Sequence, residues 1–81
     1  MTFGQMIDHY ENYKRICALE DRDERLRELG KLQLKVEVDA LMPIGNARLL
    51  NEFKEKNPTV YEFREEIVMQ RMKDMNYRCG A

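Results

Sequence analysis

The sequence is poor in most of what marks a chemical site. Tryptophan is absent, histidine occurs once, and 81 residues hold only two prolines, two cysteines and four glycines. The glycines stand apart at positions 4, 30, 45 and 80, so there is no glycine-rich phosphate loop. Cys17 and Cys79 are too few and too widely spaced for a disulfide framework. Reduced thiols are expected instead, with Cys79 exposed near the C-terminus. His9 belongs to no metal-binding spacing: C-x-x-C, H-E-x-x-H and EF-hand patterns are all missing, so no metal and no cofactor is expected. His9 reads as a surface or boundary side chain. Paired with Cys17 on one helix it would lie ~12 Å away, too far for a nucleophile–base pair. With so small a body to carve a cleft from, an enzyme is not expected.

Charge of one sign is also lacking. Fourteen basic residues face fifteen acidic ones, a net charge of −1, so the chain has no global basic surface to replace phosphate counterions. Long hydrophobic runs are missing too, and the opening MTFGQMIDHY has neither a basic n-region nor an apolar h-region. These absences predict a cytoplasmic protein that neither crosses nor enters a membrane. The hydrophobic share of 43% rules out a disordered chain. The length fits one domain over residues 1–81, whose small core buries only about 60–65% of the unfolded surface.

The remaining pattern is helical. Thr2 and Gln5 form a capping box that opens a helix through about Glu20, with Phe3, Met6, Ile7, Tyr10, Tyr13, Ile16 and Cys17 on one stripe. The stripe fails at Glu20, Asp23 and Glu24, so a turn is placed near residues 20–22, with Asp21 or Asp23 capping a second helix. Pro43 ends that helix, and Asn46 caps a third through about Lys56 whose apolar edge is Leu49, Leu50 and Phe53. Pro58 opens the last, expected to reach about Asn76 with Val60, Phe63, Ile67, Val68, Met72 and Met75 inward. Residues 78–81 are expected as a frayed tail. The predicted fold is all-α, a small bundle of three or four helices joined by short loops.

The segment 32–40 has two readings. Leu32, Leu34, Val36, Val38 and Ala40 alternate with Gln33, Lys35, Glu37 and Asp39, the period of a half-buried strand. On a helix, Leu26, Leu29, Leu32, Val36 and Ala40 fall on one face, and Leu34, Val38 and Leu41 on nearly the opposite one. Gly30 as a helix-ending residue would favour the strand. No second strand exists in the chain, so a strand over 31–41 would pair with its own copy in a homodimer, Lys35 opposite Glu37. The helix is the expected form and the strand dimer the alternative.

Either reading leaves apolar surface in want of a partner. Helix 2 is apolar on both sides, and Tyr61, Met69 and Met72 broaden the apolar band of the last helix. The expected function is that of a small protein-interaction module, an adaptor, assembly factor or inhibitor, that binds another protein and associates with itself as a homodimer. Its candidate contacts are Leu34, Val38, Leu41, Tyr61, Met69 and Met72. The alternative is a small nucleic-acid-binding regulator using Arg71, Lys73, Tyr77 and Arg78 for phosphate contacts and one stacking ring.

Overall fold

A computed structural model describes the backbone of residues 1–79, with side chains through Asn76. Its helices are α1 (Phe3–Cys17), α2 (Arg22–Asp39), α3 (Ala47–Lys56) and α4 (Pro58–Cys79), joined by short loops, and there are no strands among the described residues. Residues 32–39 are therefore helical, with Ala40 as the C-cap, and Gly30 lies inside α2. The helix starts follow from side chains that satisfy orphan amide groups. The Thr2 side chain accepts from the Gln5 amide at 3.1 Å, and Gln5 returns the bond to the Thr2 amide at 2.8 Å. Asp21 Oδ1 takes the amides of Asp23 and Glu24, and Asn46 Oδ1 takes that of Leu49. Gly45, at φ +90°, makes the turn into α3 at an angle that costs a residue without a Cβ little.

The core lies where α2 passes between α1 and α4. Tyr13 and Ile16 of α1, Leu29, Leu32 and Val36 of α2, and Phe63 and Ile67 of α4 form it. Phe63 meets Tyr13 edge-on at 5.7 Å between ring centroids. Along the α2–α4 seam runs a polar ladder. Arg25 pairs with Asp74, Arg71 Nη1 donates to Gln33 Oε1 at 2.6 Å, and Arg64 Nε donates to Glu37 Oε2 at 2.9 Å. The α2 numbers rise as the α4 numbers fall, so the two helices run antiparallel. Gly30 brings the Arg71 guanidinium close to the α2 backbone: a Cβ there would stand 3.6 Å from Nη2, in ordinary contact.

Three expectations about burial need correction. Met72 and Met75 are about half exposed, at 52% and 48%. The inward face of α4 runs instead through Phe63, Ile67 and Asp74, with Val60 and Val68 half-buried. Asp74 takes the position that an apolar pattern assigns to methionine because Arg25 is there to receive it. On α1, Phe3, Ile7 and Tyr10 are exposed although they continue the stripe. His9 lies against Asp39, the last residue of α2, so Phe3, ~9 Å further along α1, projects past the end of its neighbour. No residue of α3 is fully buried: Leu50 and Phe53 are half-buried, Leu49 is exposed, and the helix packs on α4. α4 runs past Asn76 to Cys79, while the side chains of Tyr77, Arg78 and Cys79 and the rest of the expected tail lie outside the described residues.

With a Cα radius of gyration of 13.3 Å, the fold exceeds the about 12 Å typical of this length. Its principal extents, 38 × 27 × 15 Å, describe a slab with a high ratio of surface to core.

Candidate interaction surface

The end of α2 carries an unusual residue. The Met42 amide reaches back to the Glu37 carbonyl at 2.9 Å and the Leu41 amide to the Val38 carbonyl at 3.1 Å. These are the two bonds of a Schellman motif, whose hinge residue takes the left-handed conformation and is commonly glycine. Here it is Leu41, at φ 53°. An L-residue with a Cβ spends about 1–2 kcal/mol in that region. Burying the side chain would offset that cost, but Leu41 is 86% exposed. Met42, the residue after it, is buried and anchors the motif.

Leu41 belongs to a wider patch. Leu34 and Val38, each 62% exposed, lie two turns and one turn before it on the face of α2 turned away from the core, and Ile44 follows across the loop. Leu34, Glu37, Val38, Leu41, Met42 and Ile44 together line an open, mainly apolar depression. The expected two-faced α2 is therefore present, with Leu29, Leu32 and Val36 inward and Leu34, Val38 and Leu41 outward. Ile44 escaped the sequence reading because Pro43 separates it from the helix. The signal available was the run Leu41-Met42-Pro43-Ile44, where a helix end ordinarily has glycine and polar residues.

The charges around this patch are unevenly matched. Glu37 is held by Arg64 and accepts from Gln33, and Asp39 lies 2.8 Å from His9. Glu28 faces Lys31 at 3.6 Å. Arg27 and Lys35 have no carboxylate at ion-pair distance among the described residues, so the border of the patch is positive.

The opposite side of α4 holds the other candidate contacts. Met69 and Met72 are exposed, and Tyr61 is half-buried, with Lys54 Nζ 5.3 Å from its ring centroid. Glu62 and Glu66 are exposed beside the methionines, while Glu65 is drawn to Arg64 at 3.0 Å. Of the residues weighed for nucleic acid, Arg71 is half-buried and committed to Gln33, and Lys73 is exposed. The side chains of Tyr77 and Arg78 lie outside the described residues.

The strongest electrostatic feature of the fold is internal. Arg25 Nε and Nη2 donate to the two oxygens of Asp74 at 2.8 Å each, and Nη1 donates to the Leu19 carbonyl at 2.7 Å. The hydrogen bond from Arg25 is the main reason the Asp74 carboxyl is held below its ordinary 3.8, and the same bond raises the guanidinium further. Burial, reinforced by a hydrogen bond with Cys17, pushes the Tyr13 hydroxyl up. Among the described residues no three His, Cys, Asp or Glu side chains gather as metal ligands, and no helix is long and apolar enough to cross a membrane. No protein-family model matches the chain, and neither a curated protein nor a solved structure matches it.

Proposed function

We propose that this chain is a small protein-interaction module whose working surface is the outward face of α2 and which associates with copies of itself. The observation that carries this reading is Leu41. A leucine held in a left-handed conformation, at a place where glycine is easier, with its side chain in solvent, gives the isolated fold nothing in return. A partner covering Leu41, Leu34 and Val38 supplies the missing compensation. The slab-like shape supports the reading, since a fold with much surface and little core is stabilised by association.

The test is molar mass by light scattering across a wide range of loading concentration, with Leu34→Glu and Val38→Glu as variants. Mass should rise with concentration in the parent chain, and each glutamate should weaken association while the far-UV helical signal stays unchanged. A parent that remains monomeric throughout, or variants that associate as the parent does, would refute this function.

A further inference from the structure

The molecule exposes two partly apolar faces of opposite charge, and they match at three successive positions. The outward face of α2 reads Arg27, Lys31, Leu34, Val38: two cations, then two aliphatic side chains, at steps of four, three and four. The exposed side of α4 reads Glu62, Glu66, Met69, Lys73: two carboxylates, a thioether and a cation, at the same steps of four, three and four. Both sets run in the same chain direction. Laid parallel, α2 of one copy against α4 of another brings Arg27 to Glu62, Lys31 to Glu66 and Leu34 to Met69. The same register sets Lys73 against Val38, with Met72 beside it.

Exposure and pairing agree with this match. Arg27, Lys31, Leu34 and Val38 are exposed, as are Glu62, Glu66, Met69 and Met72. Glu62 and Glu66 have no cation at ion-pair distance among the described residues, and Arg27 likewise has no carboxylate. Lys31 has Glu28 at 3.6 Å on its own helix, an exposed contact of small worth that an intermolecular carboxylate can replace. Within one copy the two faces cannot meet, because the α2–α4 seam is already occupied by the Arg25, Gln33 and Glu37 ladder. A symmetric pairing of α2 with its own copy would also bury Leu34 and Val38. Centred on residue 36, it would set Lys35 against Glu37, which Arg64 and Gln33 already hold, and would leave Arg27 and Lys31 against the uncharged run 41–45.

We infer that self-association is head-to-tail: the acidic, methionine-bearing face of α4 in one copy docks in parallel onto the basic, aliphatic face of α2 in the next. The inference rests on the interaction function proposed above and specifies which surface of the second copy occupies the patch. Each copy then keeps one face of each kind free at the ends of the assembly. Association therefore continues beyond a dimer unless the rotation between copies closes a ring. Methionine suits this role because its flexible chain fills gaps between the branched side chains of Leu34 and Val38.

Charge reversal tests the pairing in a way that a structural defect does not imitate. One variant carries Arg27→Glu with Lys31→Glu; the other carries Glu62→Lys with Glu66→Lys. Each alone sets like charge against like charge and should weaken self-association about tenfold or more at low ionic strength. Mixed in equal amounts, the two variants have complementary faces in both directions, so sedimentation velocity should show the association restored. Circular dichroism of each variant confirms that the helices persist. A mixture that stays as weak as its components, or variants that associate like the parent, overturns the head-to-tail arrangement. Leu34→Glu separates the two levels: if it abolishes association while the charge reversals do not, the α2 surface stands and the α4 face is not its occupant. If Leu34→Glu also leaves association intact, the proposed function fails as well.

Discussion

The two faces of α2 are made of similar residues and do opposite things. Leu29, Leu32 and Val36 point inward and are at most 1% exposed; Leu34, Val38 and Leu41 point outward and are at least 62% exposed. Nothing in side-chain chemistry separates the two sets. What separates them is the polar residues alongside: Arg25, Gln33 and Glu37 flank the inner face and bond across to α4, whereas Arg27, Lys31 and Lys35 flank the outer one. The inner face is thus closed by groups that bond across to α4, and the outer face is bordered by cations of which Lys31 alone has a carboxylate at ion-pair distance among the described residues, Glu28 on its own helix.

Breaking the inner face should have the largest effect. Leu32→Ala removes a fully buried side chain from the centre of the core, and such truncations cost about 3–5 kcal/mol. For a fold this small that is a large part of its total stability. Urea unfolding at a concentration where the chain is monomeric measures the loss. A loss under about 1 kcal/mol would mean that the core relaxes around the gap and that the contrast between the faces is weaker than burial implies.

The next largest effect belongs to the Arg25–Asp74 pair. Asp74→Ala leaves a half-buried guanidinium with the Leu19 carbonyl as its remaining partner, a loss of about 2–3 kcal/mol where full burial would cost more. The same pair sets a pH dependence. Asp74 binds its proton less readily folded than unfolded, so its contribution is complete above 3.8, the ordinary value, and disappears as pH falls through the lower folded value. Arg25, raised rather than lowered, stays charged throughout and adds no pH term of its own in this range. Chemical unfolding followed from neutral pH into acid should therefore show a decline that Asp74→Asn reduces. An Asn variant with the parent's acid profile would assign that decline to other carboxylates.

How much of this was legible varies with the range of the interaction. The starts of all four helices were readable because caps are local: Thr2 with Gln5, Asp21, Asn46 and Pro58 act on amides within a few residues. The two-faced character of α2 was readable from periodicity, and so was the outward placement of Leu34, Val38 and Leu41. What was not readable lay across the fold. Asp74 and Arg25 are 49 residues apart, and neither announces the other, so the α4 pattern was filled with Met72 and Met75 in preference to a carboxylate. The stripe of α1 gave no hint that α2 would stop beside His9 and leave Phe3 uncovered. The left-handed turn at Leu41 was masked because the motif that signals it is normally marked by glycine.

That last position supplies the smallest change in stability and the sharpest separation of fold from function. Leu41→Gly removes a side chain that touches solvent and relieves a conformation costing about 1–2 kcal/mol. Glycine gives back part of that gain through the freer unfolded chain, about 0.5–1 kcal/mol, so the monomer should be stabilised by the remainder, at most about 1.5 kcal/mol. Association should weaken at the same time, since the variant deletes the most exposed apolar group of the patch. A mutation that strengthens the fold while weakening assembly is hard to obtain from any residue whose purpose is packing. If Leu41→Gly instead lowers monomer stability, the leucine supports the end of α2, and its exposure no longer argues for a partner. If stability rises and assembly is untouched, the strain belongs to the Schellman turn alone, and Leu34 and Val38 must carry the contact.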